Sequence, residues 1–108
     1  MLNRYHVFHV DKPEFFSPGK LVVHFPKGFT KVAIVLAECL DHVFRATNHI
    51  DKPWWENPEV QWYKPESRST SVGDIVIDQS CDIFYCDRVG WKKLNEGRMP
   101  FQLRIRYQ

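Results

Sequence analysis

Nothing in this chain of 108 residues approaches the ~20 consecutive apolar residues that a membrane-spanning helix requires, and the N-terminus lacks the apolar core of a secretion signal. Cysteine is scarce. Cys39, Cys81 and Cys86 are an odd number, so one stays unpaired under any disulfide scheme, which points to a reducing compartment. The glycines Gly19, Gly28, Gly73, Gly90 and Gly97 each stand alone, so no phosphate-cradling glycine loop is present. There is no internal repeat and no low-complexity tract, and a net charge of +2 is too small to announce a nucleic-acid partner by itself. These absences leave a soluble cytoplasmic domain as the expectation.

What the chain does have is length for one core and many aromatic rings. A single domain over residues 1–108 buries roughly two-thirds of its unfolded surface, enough without metal or disulfide staples. Four Trp, four Tyr and eight Phe are more rings than one small core readily houses, so some should lie at the surface. Charge is uneven: residues 88–108 carry six Lys or Arg against one Glu, whereas residues 1–87 carry nine against twelve acids. One end is basic and the rest mildly acidic.

Read in order, Tyr5 to Val10 alternates as a strand, with Tyr5, Val7 and His9 on one face and His6, Phe8 and Val10 on the other. Lys20 to Phe25 is a second strand between Pro18-Gly19 and Pro26-Lys27-Gly28. With Thr30 as N-cap, Val32, Ala33, Leu36, Ala37, Leu40, Val43, Phe44 and Thr47 fit the spacing of one long helix over Lys31 to Thr47, and Asn48 is placed to end it. Pro53 and Pro58 exclude regular structure around Trp54 and Trp55. Two adjacent tryptophans there read either as a lid on the core or as exposed anchors for a partner. Val60 to Tyr63 is a short extended segment, and Phe101 to Tyr107 alternates as a last strand, available for pairing with a second copy if it lies at an edge.

Between these lies the stretch around which the chain is organised. Ile75-Val76-Ile77 is a β-branched run suited to a strand covered on both faces, Asp78-Gln79-Ser80 supplies a turn, and Asp82 to Cys86 returns as its partner. Gly73 and Gly90 sit where the chain bends, and Trp91 is placed to fold back over the hairpin. The elements sum to an α+β fold: one helix on a mostly antiparallel, twisted sheet of five to six strands that can curl into a partial barrel.

Arg68-Ser69-Thr70-Ser71-Val72-Gly73-Asp74, followed by a hydrophobic strand and by Tyr85-Cys86-Asp87-Arg88-Val89-Gly90-Trp91, resembles a signature of small proteins from bacteriophages and plasmids, most without an assigned function. Phe44 to Ile50 with Pro53-Trp54 is similar to what precedes it there. The resemblance runs from the second half of the expected helix to Leu94. It implies a mobile-element origin and a bacterial host cytoplasm, and it carries over no catalytic residue.

The sequence shows no catalytic constellation. Cys39 and His42 with Cys81 and Cys86 supply the ligand types of a zinc site, but the spacing is not that of paired zinc knuckles, so no metal and no cofactor is expected. The chain is therefore expected to be non-enzymatic, a monomer or homodimer that binds a host protein and interferes with it, with Trp54, Trp55, Arg68 and Arg88 as contacts. The alternative is a nucleic-acid-binding module in which Arg88, Lys92, Lys93, Arg98, Arg104 and Arg106 meet phosphates and Trp91 stacks on a base.

Overall fold

A computed structural model describes residues 2–12, 25 and 27–94. Its elements run β1 (Asn3–Val10), β2 (Phe29–Ala37), α1 (Leu40–Ala46), β3 (Val60–Tyr63), β4 (Ile75–Ile77), β5 (Ile83–Asp87) and β6 (Gly90–Lys93), with one 3-10 turn at Trp54–Glu56. The strands form one open six-stranded sheet in the order β3-β2-β1-β4-β5-β6, and every neighbouring pair is antiparallel. The fold is α+β, as the sequence implies.

The long helix expected over Lys31 to Thr47 does not form. Its first half is β2, and only Leu40–Ala46 is helical, capped by the backbone of Cys39. Thr30 lies in β2 and its hydroxyl donates to Asp11 instead of capping a helix. The reason is that the sheet is buried on both faces here. Val32, Ala33, Val35 and Ala37 are buried while Ile34 and Leu36 are half-buried, so nearly every position is apolar and helical spacing is satisfied by default. The β-branched Val32, Ile34 and Val35 then favour the strand. α1 ends at Ala46 with Thr47 as its C-cap, one residue before the expected Asn48; the Thr47 hydroxyl donates to the Val43 carbonyl and the Asn48 side-chain amide to the Phe44 carbonyl.

Alternation along the strands sorts the apolar residues into two clusters, one on each face. Val7 lies level with Ala33 and Val76, and this face, with Tyr5, Val35, Val43, Ala46 and Trp54, is covered by α1. Phe8 lies level with Ile75 and, beyond it, Tyr85; with Phe25, Phe29, Ile77, Ile83 and Leu94 they form the second cluster. The expected β4–β5 hairpin is present, and the Asp78 carboxylate accepts from the Ser80 and Asp82 amides to close its turn. A second hairpin follows, in which Gly90 at φ +109° permits β6 to return along β5. Trp91 is thereby placed on the helix face, edge-on to Phe44 at 6.4 Å. The strands expected at Lys20 to Phe25 and at Phe101 to Tyr107 lie outside the described residues, apart from Phe25, which is buried in the second cluster.

Candidate functional site: an aromatic edge strand

Three features compete for a functional role, and the first is the polar centre of the signature. Asp74 precedes the buried β4 and is itself fully buried, so its carboxylate needs compensation. Arg68 supplies two N–H···O bonds of 2.7 Å, and the amides of Ser71 (2.7 Å) and Val10 (2.9 Å) donate as well. The second Arg68 Nη1 hydrogen is shared between the Ser69 carbonyl and the Ser71 hydroxyl, and the second Nη2 hydrogen goes to the Val10 carbonyl. The arrangement ties the loop before β4 to the end of β1, and hydrogen bonding to Asp74 pushes the Arg68 pKa up. Gly73, at φ +100° and with Val10 Cγ1 3.4 Å from where a Cβ would stand, lets the chain turn into β4. Buried His9 is bonded to the Thr70 hydroxyl at 2.9 Å. Burial pushes its pKa down to about 4, against the pull of nearby Asp74 and with help from Arg68. These side chains satisfy one another and present little to a ligand.

The second feature is an open cleft of about 310 Å³ beside the end of α1, lined by His42, Arg45, Lys52, Asn57 and Glu59 among others. His42 Nδ1 accepts from the Glu38 amide at 3.1 Å, which leaves Nε2 to carry the proton toward Glu59 Oε2, also at 3.1 Å. Burial acts to raise the Glu59 pKa, but its backbone bond, the His42 bond and Lys52 together hold it below the ordinary value. The dyad links α1 to the residue that precedes β3.

The third feature is β3. It is the terminal strand of the sheet, and among the described residues it pairs only with β2. Ala33 lies level with Tyr63 and Ile34 with Trp62, so the two rings stand on opposite faces of the sheet. Trp62 is 45% and Tyr63 40% exposed. Trp55 stacks on Tyr63, centroids 6.1 Å apart and planes 16° from parallel, and is in turn edge-on to His49 and Trp54. On the other face the Lys31 ammonium stands 5.9 Å over the Trp62 ring. The Lys64 amide turns inward to the Val32 carbonyl at 2.8 Å, so by alternation the Tyr63 amide turns outward. Pro58 and Pro65 flank the strand.

The residues expected as contacts are dispersed. Trp54 is 0% exposed, and its indole N–H is shared by the carbonyls of Ser67 and Arg68, both at 3.0 Å. It belongs to the core and is no surface anchor, because that loop folds inward through a 3-10 turn. Trp55 is half-buried and belongs to the aromatic edge, whereas Arg68 is committed to Asp74. Arg88 is exposed in the β5–β6 turn, at the far side of the strand order from β3. Of the basic set, Lys92 pairs with Asp87 at 3.1 Å and Lys93 with Asp82 at 3.5 Å. Trp91 packs against the core, and Arg98, Arg104 and Arg106 lie outside the described residues. Cys39 and Cys81 are exposed, Cys86 is buried, and among the described residues no three His, Cys, Asp or Glu side chains come together as a metal site. No described helix is long and apolar enough to cross a membrane.

Trp62 and Tyr63 are the site residues that the sequence reading passed over. Their adjacency carried a signal: neighbouring aromatics on a strand cannot both face one core. No protein-family model, no curated protein and no solved structure matches the chain.

Proposed function

We propose that this chain is a non-catalytic accessory protein of a phage or other mobile element, which acts in the bacterial host cytoplasm by binding a host protein through β3. The observation that carries the reading is an edge strand, Val60–Tyr63, that bears two exposed rings and no charge. Edge strands are ordinarily blunted by charges, bulges or cover, because their free amides and carbonyls are templates for pairing. Here one bulge separates Val60 from Trp62, and beyond it the outward edge carries aromatic side chains. Tyr and Trp supply large contact area at low entropic cost and are enriched where interfaces concentrate their energy. An extended segment of a partner added to β3 would gain main-chain hydrogen bonds, with side chains meeting Trp55 and Tyr63 on one face and Trp62 on the other.

Capture from bacterial lysate tests the reading. The natural protein is expected to retain a host protein after nuclease treatment, and Trp62→Ser/Tyr63→Ser to lose it while melting at nearly the same temperature. Equal retention by the folded double variant would refute it.

A further inference from the structure

Resting on that reading of β3, we infer that the segment added to this edge alternates apolar with acidic residues, the acidic positions facing Lys31 and Lys64. An added strand presents successive side chains to opposite faces of the sheet. On the α1 face its neighbours are Tyr63 and Trp55, two stacked rings without a formal charge, which suit an apolar side chain. On the other face the neighbour is Trp62, and the cations converge on it. Lys31 of β2 holds its ammonium 5.9 Å over the Trp62 ring. Lys64, two residues beyond Trp62 and still bonded to β2 through its amide, falls on the same face by alternation and is exposed.

Among the described residues neither lysine forms a salt bridge. Glu66, the acid next along the chain, sits in a left-handed turn at φ 63° and pairs with neither. Lys92 and Lys93, at the opposite edge, do have Asp87 and Asp82 as partners. On the Trp62 face of β3 two cations, Lys31 and Lys64, thus stand together without a carboxylate partner among the described residues. A carboxylate beside Trp62 would meet Lys31 and Lys64 on a partly desolvated surface, where opposite charges govern which partner and which register are accepted.

The test is selection of short random peptides on a display library, using the full chain, Lys31→Glu/Lys64→Glu and Trp62→Ser/Tyr63→Ser, each checked for folding by its melting curve. The natural protein should select apolar-acidic alternation. The lysine reversal should select basic residues at the same positions and weaken the original peptides by about tenfold. Peptides with no acidic preference, lost only in the Trp62/Tyr63 variant, would overturn the charge pattern and leave the edge reading standing. No enriched peptide, or peptides equally retained by that variant, would overturn both. Competition by a single-stranded oligonucleotide that depends on Lys31 and Lys64 would give the patch to nucleic acid, and dimerisation of the chain that depends on Trp62 and Tyr63 would give it to a second copy; either overturns the inference.

Discussion

The guanidinium of Arg68 holds the carboxylate of Asp74 through two bonds of 2.7 Å, with the carboxylate wholly buried and the guanidinium partly open to solvent. The two residues are six apart in sequence and connect the segment before β4 to the end of β1. A pair of this kind is costly to break from one side, because the surviving charge and the amides of Val10 and Ser71 lose their partner. Asp74→Ala should destabilise the fold by about 3–5 kcal/mol. Urea unfolding measures this directly, and a loss below about 1 kcal/mol would show that the network does not hold the fold together.

His9 makes stability depend on pH. Its pKa is lowered from an ordinary 6.5 to about 4 by burial, so between these values the unfolded chain binds a proton that the folded chain refuses. Stability from this group is complete above pH 6.5 and declines as the pH falls toward 4, by at most about 3 kcal/mol. His9→Gln, which keeps a polar partner for Thr70, should flatten the dependence between pH 6.5 and 5, a range above the ordinary titration of most carboxylates. Denaturation midpoints for both proteins across that range decide it, and identical slopes would place the titration elsewhere.

The adjacent tryptophans should behave oppositely. Trp54→Ala empties a site in the helix-face cluster and removes the donor to Ser67 and Arg68, at a cost of about 3–5 kcal/mol. Trp55→Ala removes only a half-buried ring and should cost clearly less. Thermal melts of the two variants side by side provide the comparison, and comparable losses would contradict the inward fold of this loop.

Thiol chemistry should divide the three cysteines. Burial first, then the carboxylates of Asp74 and Asp87, push the Cys86 pKa up to about 11, so the reactive thiolate is rare there. Iodoacetamide at neutral pH should label the exposed Cys39 and Cys81 in the native protein and reach Cys86 only after denaturation. Peptide mapping of the labelled chain reads this, and prompt native labelling of Cys86 would mean that β5 opens readily.

Much of the sheet was legible from local pattern. β1 alternates because its two faces meet different layers, and β4 with β5 announces itself by a β-branched run, a polar turn and a return. What local pattern hides is strand order. Lys31 to Ala37 is covered on both sides, so the apolar spacing that distinguishes helix from strand disappears and β2 passes for a helix. Trp62 and Tyr63 become notable only once β3 is known to be terminal, a fact set by the pairing of β2 with β1 far away in sequence. Asp74 was closer to legible: an acid placed directly before Ile75-Val76-Ile77 demands a cation, and Arg68 was at hand.

Pro58 and Pro65 bracket an edge of only four residues. Proline has no amide hydrogen to offer a ladder, so a visiting strand can zip along this border for a few rungs and then runs out of donors. The same brevity keeps the border from seeding open-ended stacking of chain upon chain, which needs long, flat, continuous rungs. Attachment of the kind proposed would thereby be limited in extent, and side chains rather than backbone would choose the visitor.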